Sequence, residues 1–225
     1  MTVPVYVQSW KKTGNNDDSI TLTCGGIVGG TNHALVAIGL RWRDANASHF
    51  TAASVGGHSM TLVDFVLGTY TEADIALSVF FLLNPPGGTQ NVILSGVSGH
   101  YGQMFVAEFS AVAGYGISGG QAASSGNSIY KTLSGLSIGR SMIVAAFGTG
   151  DWWGPTYASP LSEAARNENN LVDNRYDSVF SWGYGEPTAD PQTLGVSNCA
   201  SPKASLLLME LVGLSEKKQQ VIWFT

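Results

Sequence analysis

Polar and apolar residues alternate along Ser19-Ile-Thr-Leu-Thr-Cys24, with β-branched residues among them, which predicts a half-buried β-strand. His33–Trp42 is longer and nearly continuous in apolar residues, and it reads as a central strand. Met60–Val66, Asn91–Ser95, Met104–Ser110, Ser141–Phe147 and Ala204–Val212 add further runs of strand length. Ile75–Leu83 admits a helix, because Ala and Leu favour one and Thr71–Asp74 offers a cap. It stops abruptly at Asn84-Pro85-Pro86-Gly87-Gly88, so a strand is the expectation. Ser162–Asn167 admits a short helix. Pro4–Trp10 and Gln219–Phe224 read as strands outside the main set. Turn signals recur about every ten residues, which fits an antiparallel sandwich or barrel.

Between Gly148 and Pro202 the pattern lapses, and Ser178–Trp182 is the best strand signal there. Trp152, Trp153, Tyr157, Tyr176, Trp182 and Tyr184 stand among Asn, Asp, Gly and Pro. Long irregular segments of this kind usually carry function or an interface. These six aromatic residues are therefore candidate binding residues. They would stack on sugar rings, anchor a partner protein or cover one end of the core.

Several runs carry a family likeness: Leu35–Leu40, Val55-Gly-Gly-His-Ser-Met-Thr-Leu-Val63, Leu82-Leu-Asn-Pro-Pro-Gly-Gly-Thr89, Val92–Ser95, Phe105–Ser110, Ser141–Ala146 and Ala204–Leu214. Together they resemble Gly-rich jelly-roll modules of phage virion proteins and bacterial extracellular repeat proteins. The resemblance implies an all-β, antiparallel jelly-roll β-sandwich over residues 19–214, with an aromatic, loop-rich insertion at 148–202. Residues 1–18 are then an N-terminal extension, and residues 215–225 a C-terminal strand or tail. The likeness implies fold more firmly than function. The unit occurs once, and Met1-Thr-Val-Pro-Val-Tyr-Val lacks a basic region followed by an apolar core. Both points favour the virion component over the bacterial surface repeat.

Composition narrows the classes. Glycine supplies 28 of 225 residues, against a usual share of roughly 7%. Charged residues make up 12% and hydrophobic ones 44%, which argues against disorder. The net charge is −5, and the only basic doublets are Lys11-Lys12 and Lys217-Lys218, so no basic stripe offers itself to nucleic acid. No uncharged apolar run is long enough for a membrane-spanning helix. A sparsely charged surface suits a subunit largely covered by its neighbours. Cys24 and Cys199 are expected to be free thiols, with pairing left open.

The chemical motifs fail their context tests. Gly114-Tyr-Gly-Ile-Ser-Gly119 fits a dinucleotide fingerprint but is followed by Gly120–Gly126, a poor helix. Gly116-Ile-Ser-Gly-Gly120 fits a nucleophile elbow, yet all four histidines precede Ser118. The expectation for this segment is a flexible Gly/Ser turn. Asn15-Asn-Asp-Asp18 lacks the spacing of a calcium loop. Asp64, Glu108 and Glu210 sit inside apolar runs, where a carboxylate is either catalytic or on the solvent face. No catalytic residue, metal ligand or cofactor is assigned.

The expected function is that of a non-enzymatic structural protein of a phage-like particle, assembled in the host cytoplasm and resident in the virion. It would be a capsid decoration, head-fibre or tail component. Its partners would be further copies of itself and other virion proteins. Its assembly strands would carry Val5, Tyr6 and Val7 at one end of the chain and Val221, Ile222, Trp223 and Phe224 at the other. The alternative is a carbohydrate-binding or adhesin module that engages host-surface glycan.

Overall fold

The computed structural model describes residues 2–12, 19–43, 48–68, 74–96, 101–123, 127–149, 156–169, 178–198 and 204–215. These residues form antiparallel β-sheets with no helix among them. Eight strands make the first sheet: β1 (Val5–Lys12), β2 (Ser19–Ile27), β3 (Ala34–Arg43), β4 (Ala52–Val55), β5 (His58–Gly68), β6 (Asp74–Leu83), β7 (Gly88–Ser95) and β8 (Tyr101–Ser110). Their order is β1-β8-β3-β6-β5-β4-β7-β2. The remaining strands are β9 (Val112–Ala123), β10 (Ser128–Leu133), β11 (Ser141–Thr149), β12 (Thr156–Tyr157), β13 (Ser162–Asn169), β14 (Ser178–Gly185), β15 (Gln192–Ser197) and β16 (Ala204–Gly213). They form a five-stranded sheet, β13-β14-β11-β16-β9, and a three-stranded sheet, β10-β15-β12.

The first sheet curls into a nearly closed barrel. Its edge strands β1 and β2 approach one another without a backbone ladder. Gln8 Nε2 donates to Gly26 O at 2.8 Å and Lys12 Nζ to Thr21 O at 2.8 Å across the seam. Inside the curl lie Ile20, Leu22, Leu35, Ala37, Phe50, Val55, Phe80, Val92, Leu94 and Val106.

The outer face of β3, β6 and β8 packs on the five-stranded sheet. Val36, Ile38, Leu40, Leu77, Val79, Phe105 and Phe109 meet Val144, Ala146, Phe180, Trp182, Leu207 and Met209. The far face of the five-stranded sheet packs on the three-stranded one, where Ile143, Phe147, Leu206 and Leu208 meet Ile129, Leu133, Leu194 and Val196. Strands β3, β8, β11 and β16 are therefore buried on both faces. That is why their sequences read as mainly apolar runs rather than alternations, broken in β8 by Glu108 and in β16 by Glu210. At roughly 25 cal/mol per Å² of buried apolar surface, burial on both faces stabilises such a strand more than burial on one.

Two turns explain the conspicuous motifs. Val55 pairs with His58 around Gly56 (φ +54°) and Gly57 (φ +84°), a two-residue hairpin whose twist demands left-handed residues. At Asn84-Pro85-Pro86-Gly87, Asn84 adopts φ +56°, donates its N–H to His33 O and accepts Asn32 N–H on Oδ1. Pro85 O accepts Gly30 N–H, so this turn is docked on the β2–β3 connection.

Two expectations are corrected. Ser162–Asn167 is not a helix: it lies in β13, paired with β14 from Ser162↔Tyr184 to Asn169↔Ser178. Pairing along β14 overrides the helix propensity of Glu163, Ala164, Ala165 and Arg166. A bulge between Glu163 and Ala165 brings the Glu163 carboxylate to the Arg166 guanidinium, with Oε2 at 2.6 Å from Nη2. Residues 114–123 are not a flexible turn but most of β9, paired along β16. Their glycines fit close neighbours: a Cβ at Gly120 would meet Val66, and one at Gly116 would overlap the Glu210 carboxylate.

Candidate functional site

Strand β1 carries three of the residues the sequence proposed for assembly. Its ladder to β8 runs from Val5↔Ser110 to Lys12↔Met104, with a bulge between Tyr6 and Gln8. The alternation of the strand separates the three. Tyr6 turns inward, its ring 5.0 Å from Tyr184 and 5.8 Å from Trp182. Val5 and Val7 point the other way and are 54% and 37% exposed. A third exposed aliphatic, Val28 at 59%, lies just beyond the end of β2.

A buried carboxylate ties the backbone at Val28 to Gln8, the residue after Val7. Glu108 on β8 is 0% exposed, on the barrel-facing side that it shares with Met104 and Val106. Its Oε2 accepts Gln8 Nε2 at 2.8 Å and Val28 N–H at 3.2 Å. Its Oε1 accepts Gly29 N–H at 2.8 Å and contacts His33 Nδ1 at 3.0 Å. Val28 and the neighbour of Val7 thus share one oxygen atom as partner. Burial raises the pKa of Glu108, but the four hydrogen bonds outweigh it and hold the carboxyl below the ordinary value of 4.5. Gly29 is the residue this geometry requires. Its φ is +62°, and a Cβ would come within 2.5 Å of Pro85 O.

The other carboxylates are also accounted for. Glu210, on the β16 face toward the three-stranded sheet, accepts Ser137 N–H at 2.7 Å and Ile117 N–H at 3.3 Å. It fills the bulge where β9 carries an extra residue opposite β16. Asp64 accepts the N–H of Phe65. Glu108 and Glu210 lie in different layers and do not face each other, so they do not form a paired-carboxylate cleft. No group of three or more metal-ligating side chains occurs among the described residues.

The aromatic candidates scatter. Trp182 is 0% exposed between the first two sheets, 6.4 Å from Phe109. Tyr184 is half-buried beside it, at 5.8 Å. Tyr157, on β12 of the three-stranded sheet, packs on the core beneath it and its hydroxyl lies 2.9 Å from Ser181 Oγ on β14, and burial raises its pKa. Trp152, Trp153, Tyr176, Val221, Ile222, Trp223 and Phe224 lie outside the described residues, as does Cys199. Cys24 is a free, buried thiol whose pKa burial pushes up to about 12.

Sequence reasoning missed Val28, Gln8 and His33 as parts of one cluster. Only the glycine pair after Val28 hinted that the backbone there makes a close approach. No family model, no curated protein and no solved structure matches the chain.

Proposed function

We propose that this chain is a non-enzymatic structural protein of a phage-like particle, a capsid decoration, head-fibre or tail component that works by subunit assembly. The observation that carries the reading is the exposed pair Val5 and Val7 on β1, an edge strand without a backbone ladder to β2. Unpaired edges with apolar side chains are templates for another chain. Native edges are commonly blunted by lysine, and here Lys11 and Lys12 stand at the far end of β1, each spent on a backbone carbonyl. The low charged share of 12% fits a covered surface. The hydrogen-bonded burial of Glu108 and Glu210 supports a structural task for both. The jelly-roll connectivity of virion modules belongs to this same proposal.

Sedimentation velocity of the purified chain over a wide concentration range tests it. Discrete multimers or large particles are expected, and a monomer at every concentration overturns the reading.

One observation favours the glycan alternative. Tyr130 is 43% exposed on the outer face of the three-stranded sheet, and a Cβ at Gly195 would meet its ring. Thr132 and Thr193, hydroxyl to hydroxyl at 2.8 Å, belong to the same face. An aromatic ring rimmed by hydroxyls suits a neutral sugar. A glycan array reads this alternative: binding lost in Tyr130→Ala supports it, and an array without hits removes it.

A further inference from the structure

We propose that the outer face of the three-stranded sheet binds the interior of a neutral, β-linked polysaccharide chain, laid along the strands with one sugar ring on Tyr130. This inference rests on the glycan reading above and gives it a ligand class and a pose. It uses no residue of β1.

The strand register brings the outward side chains into three rows. Ser128 stands opposite Ser197, and Ser197 opposite Thr156. Tyr130 stands opposite Gly195, and Thr132 opposite Thr193. Opposed residues of an antiparallel pair share a face, and so do alternate residues along one strand. The residues between them, Ile129, Leu133, Leu194 and Val196, face the core beneath. Ser128, Thr132, Thr156 and Thr193 are exposed, and Ser197 is half-buried. At strand spacing the hydroxyl rows lie roughly 7 Å to either side of the Tyr130 row, so the face is about 13 Å long.

Three features select the ligand. The aromatic ring is held in place: a Cβ at Gly195 would lie 2.6 Å from Tyr130 Cδ1, so the missing side chain lets the ring lie over that backbone. A ring fixed before binding loses little entropy on binding, and its open side offers an apolar surface to the C–H groups of a pyranose. The flanking rows supply hydroxyls. Thr132 and Thr193, bonded to each other at 2.8 Å, keep one donor and spare lone pairs for a sugar. Charge is absent from the rows, and Lys131 turns to the other side, where a Cβ at Gly119 would come within 3.0 Å of its Cε. An acidic polysaccharide therefore finds no cation here to pair with its carboxylates. A sheet face is open along its strands, unlike the concave pockets that enclose a small ligand. That suits the middle of an extended chain. β-Linked pyranoses with equatorial linkages run as flat ribbons that present ring faces to a flat surface, whereas α-linked chains coil away from it.

One stacked ring with a few hydroxyls gives an affinity of roughly 1 mM per copy. The face lies on the third layer, away from β1, so assembly through β1 leaves it open, and many copies on one particle raise the avidity.

Affinity electrophoresis of the full chain, through gels holding a soluble β-glucan, dextran or polygalacturonate, tests the inference. The β-glucan should retard the parent, dextran should do so at least about fivefold more weakly, and polygalacturonate should have no effect. Tyr130→Phe should bind within about twofold of the parent, because the ring and not its hydroxyl makes the contact, and Tyr130→Ala at least about tenfold more weakly. Thr193→Lys keeps the ring and lays a long side chain on the face. It should also bind at least about tenfold more weakly, which decides the matter if Tyr130→Ala does not fold. Undiminished β-glucan binding in these last two variants, or binding lost only when Trp152→Ala and Trp153→Ala are introduced, overturns the site and leaves the glycan reading standing. Stronger retardation by dextran or polygalacturonate overturns the ligand class. No retardation by any of the three overturns the inference, and the glycan reading falls with it when the glycan array also has no hits.

Discussion

Replacing Glu108 by Gln changes one oxygen into an NH2 group and removes the charge, while keeping the volume. Glu108 accepts from four donors, two on each oxygen. If the new NH2 takes the Oε2 place, it faces Gln8 Nε2 and the Val28 N–H, and Gln8 cannot turn its amide without losing Gly26 O. If it takes the Oε1 place, His33 Nδ1 is able to accept in its other tautomer, but the buried Gly29 N–H loses its partner. Either way at least one backbone N–H is orphaned, at about 1–3 kcal/mol, and the remaining bonds lose their charge assistance. The expected loss is about 2–4 kcal/mol at neutral pH, read by urea denaturation at equilibrium.

The pH dependence gives a second reading of the same variant. The folded pKa lies below the ordinary 4.5, so the unfolded chain takes up the proton first. The stabilisation is therefore complete above that value and is lost as the pH falls through the folded value. The gap between parent and Glu108→Gln should be widest near pH 7 and narrow below 4.5. A loss under about 0.5 kcal/mol, or a gap that does not change with acidification, would refute the reasoning.

Other expectations follow from the same packing. Gly29→Ala and Gly116→Ala should each lower stability by more than about 1–3 kcal/mol in thermal unfolding, the first through a left-handed φ and Pro85 O, the second by displacing the Glu210 carboxylate. Trp182→Ala should cost about 3–5 kcal/mol, since the ring fills the space between two sheets; a change below about 1 kcal/mol would contradict its placement. Cys24 should resist alkylation in the native protein and react once denaturant is added, as mapped by peptide mass spectrometry, because a buried thiol with a pKa of about 12 holds almost no thiolate at neutral pH.

Alternation made β2 readable from its own residues, and the doubly buried strands β3 and β11 announced themselves as long apolar runs. The strand β9 was hidden because its glycines serve its neighbours: room for Glu210, for Lys131 and for Val66. The strand β13 was hidden for the opposite reason, since Glu, Ala and Arg are good helix formers that only the ladder with β14 turns into a strand. The Leu-Asn-Pro-Pro-Gly motif was legible as a turn. Its target was not, because the loop it docks on is more than fifty residues earlier in the chain. Val5 and Val7 were legible on a terminal strand, whereas the tie between Val28 N–H and β1 was not, because it runs through a carboxylate eighty residues away.

The central claim is that exposed β1 and its valines are an assembly surface. Electron micrographs of the purified full chain test it most directly. The account predicts rings, lattices or filaments built from regular contacts, and these should vanish when Val5→Asp and Val7→Asp are introduced together. A field of isolated subunits of the parent protein, or particles that persist unchanged in that double variant, would contradict it.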